Sequence, residues 1–268
     1  NKKIRKSKKK NIKILKNKKI FKENNFFVFL PNLMEIVGWE QQFKINFDDI
    51  LFVEDQKKKL FENIKKFSKN QNSHNCFLWG ARGMGKSSLV KYAVKKINDE
   101  TDTKIKFVEI LNYSLKYLPE LIYFFKGLNY KFIIFVDDIT LENSQNEFKL
   151  FKSVLEGSLL SDSQNIKFYV TSNLRHLSSK GPNDENIDEI TKKENYSNII
   201  SLSDRFGVRL GFFENNKENY LQIIQHYARI NDISLKKEQL KTAFEWSLEK
   251  GNFSGRTAYQ FILNLKKN

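Results

Sequence analysis

The stretch GARGMGKS, residues 80–87, decides the fold of this chain. It matches the phosphate-binding pattern G-x-x-x-x-G-K-S, and it stands between an apolar run at 76–79 and a segment with apolar residues at helical spacing. A glycine-rich loop between a strand and a helix lets backbone N–H groups surround phosphate oxygens, and the helix N-terminus adds positive potential. The sequence therefore predicts a binding site for a nucleoside triphosphate.

The loop predicts a contact set for the nucleotide and its metal. Lys86 is expected to reach the β- and γ-phosphates, and the Ser87 hydroxyl is expected to bind Mg²⁺. The nucleotide-binding residues predicted from the loop, with one arginine near the C-terminus, are Gly80, Ala81, Arg82, Gly83, Met84, Gly85, Lys86, Ser87, Ser88 and Arg256.

The composition describes a core-forming chain with a strong excess of positive charge. The chain has 268 residues, of which 40% are hydrophobic, and its net charge is +16. Lysine is the default exposed residue here, and residues 2–19 hold eleven Lys and Arg and no acid. We interpret residues 1–20 as a solvated, disordered basic tail. The alternative is an electrostatic arm for nucleic acid.

The single cysteine and the apolar runs bear on the compartment. Cys76 cannot form an internal disulfide, and its place in a presumed core strand fits a reducing, cytoplasmic setting. We find no apolar run of about 18 residues and no signal-peptide pattern, so neither a transmembrane helix nor secretion is expected. No cluster of His, Cys and acidic residues has metal-ligand spacing, so no protein-held zinc is expected.

Strand and helix patterns alternate along most of the chain, which indicates a parallel α/β sheet covered by helices on both faces. Strands are predicted at 75–79, 105–111, 131–136, 166–171 and 208–213, and helices at 55–67, 86–98, 117–127 and 145–156. Helical patterns at 216–230, 236–249 and 254–266 follow without a strand.

These patterns predict four parts. They are a basic tail at 1–20, a lead-in at 21–50 whose pattern assigns no element, an α/β nucleotide-binding domain at 51–213 with an exposed loop at 180–198, and a small helical lid domain at 214–268.

An apolar strand at 132–136 ends in two carboxylates, Asp137 and Asp138, and resembles a Walker B strand. Asp137 is the natural Mg²⁺ ligand, usually through water, and Asp138 would orient or deprotonate the attacking water. The alternative is an ordinary buried strand that ends in a polar turn. ATPases of this kind usually carry Glu at the second position, so Glu142 is a further candidate for the base.

Three more polar residues lie next to predicted strands or helices. Asn173 ends a strand and would position water beside the γ-phosphate, unless it only makes a turn. Arg205, in SDRFG, fits an arginine finger that reaches the nucleotide of a neighbouring subunit, unless Asp204 or a helix end is its partner. Arg256 begins the last helix and would contact the phosphates from the lid, unless it faces solvent.

Together these motifs resemble the AAA+ superfamily, and more closely a bacterial AAA+ family catalogued as domain of unknown function 815. The resemblance runs from about residue 50 to the C-terminus. The resemblance implies a five-stranded parallel sheet, a helical lid, ATP as the nucleotide, and a ring-like or side-by-side homo-oligomer. It supplies no substrate. The matching stretches are 78–83, 152–157, 171–173 with 175–177, and 201–207.

Two functional hypotheses follow. The first is an ATPase that uses ATP and Mg²⁺ to remodel a protein or nucleic-acid partner. The second is an ATP-dependent switch or nucleic-acid-binding module with weak turnover, which Asp138 and the basic tail favour. A GTPase is disfavoured because the guanine-reading motif N-K-x-D does not occur. A small-molecule kinase is disfavoured by the combination of a strand-end Asn173 and a helical lid domain. No aromatic–aliphatic–Gly loop occurs between 111 and 120, so polypeptide threading lacks support.

Overall fold

The computed structural model describes residues 19–40, 43, 45–139, 145–155, 164–174 and 197–266. Most of the basic tail, most of the predicted 180–198 loop, and Glu142 lie outside these residues. Within the described part of the chain, no helix is long and apolar enough to cross a membrane.

One sheet of seven strands organises the described residues. Its order is β2-β1-β4-β5-β6-β3-β7, and every ladder is parallel except the one between β1 and β2. The strands are β1 Phe26–Leu30, β2 Glu35–Gly38, β3 Cys76–Gly80, β4 Ile105–Ile110, β5 Lys131–Val136, β6 Ile166–Ser172 and β7 Val208–Phe212.

The sheet has two strands more than the resemblance implied. All five strands predicted from the apolar runs are present, and β1 and β2 come from the lead-in at 21–50. Strand β1 pairs with β4, and its Phe27 and Phe29 are buried. The ring centroid of Phe21 lies 4.7 Å from that of Phe27. This short aromatic run has no helical or alternating pattern, so the sequence alone did not assign it to an element. Its pairing with β4 makes it a strand.

The described helices comprise the seven that the apolar spacing predicted, within about two residues, and two that it did not predict, at 20–23 and 197–203, the second of which begins inside the predicted 180–198 loop. They are α1 Ile20–Glu23, α2 Glu54–Ser68, α3 Lys86–Glu100, α4 Leu118–Lys126, α5 Gln145–Leu155, α6 at 197–203, α7 Lys217–Ile230, α8 Lys237–Glu249 and α9 Gly255–Leu265. Two 3₁₀ turns, Phe47–Asp49 and Asn112–Tyr117, precede α2 and α4.

The sheet separates two apolar cores. Alternate residues of β5 enter opposite cores: Phe132 and Ile134 pack on one face, and Ile133 and Phe135 on the other. Helices α4, α5 and α6 cover the first face, and α2 and α3 cover the second. Because both faces are buried, the central strands read as continuous apolar runs rather than alternating ones.

Helices α7, α8 and α9 pack around a third core that includes Tyr220, Ile224 and Ile262. Ile45 and Leu51, which precede α2, pack against this core, and Ile45 also packs against the α2–α3 core. We call residues 214–266 the lid and residues 45–51 the strap. The strap therefore contacts both the lid and the sheet domain, and it is far in sequence from the 213–216 segment that links them covalently.

Candidate active site

The loop after β3 is a tight turn in which glycine is required. Gly80, Gly83 and Gly85 have φ of +122°, +74° and +82°, which disfavour residues with a side chain. A Cβ on Gly80 would lie 2.0 Å from the carbonyl oxygen of Phe212, and one on Gly83 would lie 2.5 Å from Ser254 Oγ. The loop is thus packed directly between β7 and the start of α9.

Lys86, the first residue of α3, is 6% exposed and points back into this loop. Its Nζ donates to the carbonyls of Gly80 and Ala81 at 2.9 and 2.8 Å and to Asn173 Oδ1 at 3.0 Å. Burial lowers the pKa of Lys86 to about 8, although Asp138 and Asp137 act in the opposite direction. The predicted phosphate-binding lysine and the predicted strand-end amide are therefore in contact.

Asp137 lies at the end of β5 between two hydroxyl groups. Ser87 Oγ and Thr171 Oγ1 both donate to Asp137 Oδ1, at 2.5 and 2.6 Å. The parallel pairing of β5 with β6, in which Val136 faces Val170, aligns these strand ends. A serine hydroxyl beside a carboxylate is a set of hard oxygen donors, which fits Mg²⁺.

Asp138 has a left-handed backbone, with φ of +49°, which is strained for a residue with a side chain. Two side chains hold this peptide: Thr171 Oγ1 accepts from Asp138 N at 2.7 Å, and Asn112 Nδ2 donates to Asp138 O at 2.8 Å. Asp138 Oδ1 is buried, and no group of the described residues hydrogen-bonds to it. A buried carboxylate oxygen of this kind suits a bound water or ligand.

A cavity of about 630 Å³ opens above these groups, a typical size for a small-molecule site. We call the side formed by Lys86, Ser87, Asp137, Asp138 and Asn173 the polar end. Strap and lid residues also line the cavity, and we call this group the apolar end: Ile45, Ile50, Leu51, Ile223, Tyr227 and Tyr259.

The structure brings most of the predicted nucleotide-binding residues together. Residues 82–88 and Arg256 line the cavity, and the Arg256 backbone N–H donates to the Gly83 carbonyl at 3.3 Å. Gly80 and Ala81 contribute through their bonds to Lys86. Arg205 is exposed and is not among the cavity-lining residues. Glu142 lies outside the described residues.

Two polar residues of the site were not predicted. Thr171 was seen only as part of the strand before Asn173, yet its hydroxyl joins Asp137 to the Asp138 backbone. Asn112 follows β4 by two residues. Since the carboxyl ends of parallel strands meet at one edge, both positions could have been found from the predicted sheet. The strap residues had no such signal.

Comparison with known proteins gives a family and a fold. The family model described as "Protein of unknown function (DUF815)" matches residues 23–268, so the match begins before β1. No curated protein matches the chain in sequence. The solved structures that are similar have the AAA+ P-loop fold.

Three of these structures illustrate the likeness. The Aeropyrum pernix Orc1 protein in complex with DNA has a TM-score of 0.58 at 12% identity, covering 85% of this chain and 67% of that one. Domain III of the Thermotoga maritima replication initiation protein DnaA has a TM-score of 0.54 at 17% identity, covering 83% of this chain and 87% of that one. The Thermotoga maritima RuvB Holliday junction branch migration motor has a TM-score of 0.52 at 17% identity, covering 83% of this chain and 64% of that one. This chain therefore spans less than two thirds of the length of RuvB.

Proposed function

The chain belongs to the DUF815 family, and we propose that it binds ATP with Mg²⁺ and hydrolyses it. One observation carries the proposal. Ser87 of the P-loop and Thr171 of β6 meet on a single oxygen of Asp137, at the polar end of a cavity that also holds Lys86. Side chains from three separate segments thus converge where a metal-bound triphosphate would lie.

Each group at the polar end has a defined task in this proposal. Lys86 holds phosphate oxygens, and Ser87 and Asp137 hold Mg²⁺, which supplies charge neutralisation on the triphosphate. Arg82 and Arg256 bring further positive charge to the same cavity. These cations also lower the pKa of Lys86, so a polyphosphate would relieve their mutual repulsion.

We assign the water-orienting role to Asp138. Its side chain lines the cavity, and its Oδ1 is buried without a hydrogen bond from the described residues. The left-handed backbone, held by Asn112 and Thr171, fixes the direction of this carboxylate, which is one methylene shorter than glutamate. Glu142 remains the alternative base. Asn173 would orient water or phosphate through Nδ2, because its Oδ1 accepts from Lys86.

Arg205 supports a second part of the proposal, a side-by-side homo-oligomer. Arg205 is exposed and does not line the cavity of its own chain. An arginine on the outer surface can reach the cavity of an adjacent copy and stabilise transition-state charge there.

Equilibrium titration with ATP tests the nucleotide site. We expect wild type to bind ATP with Mg²⁺, and Lys86→Ala to bind about 100-fold more weakly because charge-assisted bonds to phosphate are lost. Lys95→Ala is the matched control, since Lys95 lies on the same helix but is exposed and pairs with Asp99. Equal affinity of Lys86→Ala and wild type would contradict the proposal.

A second candidate function is an ATP-dependent nucleic-acid-binding module with weak turnover. Two of the similar structures are described with DNA or a Holliday junction, and a third is a replication initiation protein. The chain adds eleven basic residues and no acid between residues 2 and 19. Both facts favour a nucleic-acid partner over an acidic small molecule.

Duplex and single-stranded DNA titrations at several salt concentrations test this candidate. Replacing Lys8, Lys9 and Lys10 together by Gln should weaken binding and reduce its salt dependence. Replacing Lys58, Lys59 and Lys65 of α2 by Gln changes the net charge equally and controls for charge alone. Equal losses in both variants, or no DNA binding by wild type, would contradict a tail-dependent DNA function.

A further inference from the structure

The lid touches the rest of the molecule on two sides of the cavity. On the first side, near the 213–216 connection, Asn215 Nδ2 donates to Phe253 O at 3.0 Å and lies 3.7 Å from Met84 Sδ. The Arg256 backbone bonds to Gly83 on that side as well. The lid is therefore fixed to the P-loop where the chain itself crosses between the domains.

On the second side, the lid contacts the strap through one polar pair. His226 lies nine residues after Lys217 in α7, about 14 Å along the helix from its start. Its Nε2 lies 2.8 Å from Asp49 Oδ1, and the two side chains are only 23% and 12% exposed. A partly buried hydrogen bond to a carboxylate is stronger than an exposed one.

The strap is itself held on the sheet domain. Asp49 Oδ2 accepts from the Asn46 backbone at 2.6 Å, and Lys57 Nζ donates to the Asp48 carbonyl at 3.1 Å. Ile50 lies against the P-loop, where a Cβ on Gly85 would be 3.1 Å from its Cγ2. A rotation of the lid about the 213–216 connection would therefore separate His226 from Asp49 and leave the strap in place.

We propose that the His226–Asp49 pair is a latch that holds the lid against the strap and so closes the apolar end of the cavity. The walls that it joins are Ile45, Ile50 and Leu51 on the strap and Ile223 and Tyr227 on α7. The part of a nucleotide that enters this end is its base and sugar, so the latch slows release of bound nucleotide. His226 acts as a positioning residue, and this role in release rests on the proposed ATP binding.

Release of a fluorescent ATP analogue, chased with excess ATP and Mg²⁺, measures the latch directly. His226→Ala should release the analogue about tenfold faster than wild type, because one partly buried charge-assisted bond is lost. His226→Gln, which keeps a side-chain donor, should release more slowly than His226→Ala. Lys241→Ala removes an exposed pair with Glu245 elsewhere on the lid and should match wild type. Equal release by His226→Ala and wild type would overturn the latch.

Amide hydrogen exchange of the nucleotide-free protein separates this inference from the proposed function. In His226→Ala, amides of the strap and of 223–230 should exchange faster, while those of α9 should not change. Equal acceleration throughout α9 would show a general structural role and overturn the latch, as would unchanged exchange at the strap. If wild type binds no ATP analogue, the proposed function fails, and the exchange result still decides whether the latch exists.

Discussion

The two ends of the cavity are built by different means. At the polar end, Lys86 makes three hydrogen bonds, and Asp137 accepts from two hydroxyls. These partners belong to the sheet domain, which positions them rigidly. At the apolar end, strap and lid side chains line the cavity, and the His226–Asp49 pair joins the strap to the lid. We infer that the polar end carries the chemistry and that the apolar end controls entry and exit.

The largest expected effect comes from a substitution that disables the chemistry of the polar end without disturbing ATP binding. Asp138→Asn keeps the size of the side chain and removes its negative charge and basicity. We expect ATP turnover to fall at least about 100-fold, as for loss of a general base, while ATP affinity stays within a few-fold. Phosphate release under saturating ATP measures the effect, and Asp99→Asn, at an exposed carboxylate that pairs with Lys95, is the control. Unchanged turnover would move the base to Glu142 or elsewhere.

Thr171→Val tests the hydrogen bonds that hold the polar end. The substitution removes the donor to Asp137 and the acceptor for the Asp138 N–H. The unfolding free energy should fall by about 1–3 kcal/mol, because a buried N–H group loses its partner. Chemical denaturation of Thr171→Val, with exposed Thr242→Val as control, measures it. A change within error would show that these bonds contribute little.

The charge of Lys86 gives the polar end a pH dependence. Folding lowers its pKa from 10.5 to about 8, so between these values the unfolded chain binds more protons than the folded one. Lys86 therefore makes stability rise with pH in that window, by at most about 1.4 kcal/mol per pH unit. Denaturation of wild type and Lys86→Met from pH 7.5 to 10 isolates this contribution. An identical pH dependence in the two proteins would contradict the lowered pKa.

Ile223→Val tests whether the apolar end affects ATP affinity without affecting turnover. The loss of one methylene from a residue that lines the cavity should weaken ATP binding by no more than about 1 kcal/mol and leave turnover at saturation unchanged. Equilibrium titration and saturating phosphate release measure the two quantities. A fall in turnover larger than the fall in affinity would mean that the two ends are not separable in this way.

The sequence predicted the polar end better than the apolar end for a physical reason. Lys86, Ser87 and the Asp137–Asp138 pair belong to contiguous motifs whose spacing follows from strand–loop–helix geometry, and the structure brings them together. Other contacts at the polar end depend on the order of strands in the sheet, which no local sequence pattern contains. Asn112 reaches the Asp138 carbonyl only because β4 and β5 are neighbours.

The apolar end depends on contacts between segments far apart in the chain. His226 and Asp49 are separated by 177 positions, and neither stands in a recognisable motif. The strands β1 and β2 were missed for the same reason, since a short aromatic segment becomes a strand only beside β4. The roles proposed for Arg205 and Glu142 stay predictions, because they concern a neighbouring subunit and a residue outside the described ranges.

The most direct test of the account is ATP hydrolysis measured over a wide range of protein concentrations, with Mg²⁺, for wild type and Arg205→Ala. We expect the wild-type rate per subunit to rise with concentration as copies assemble, and the Arg205→Ala rate to stay low while its ATP affinity is kept. A wild-type rate near zero at every concentration, despite tight ATP binding, would contradict the proposed hydrolysis and favour a nucleotide-dependent switch.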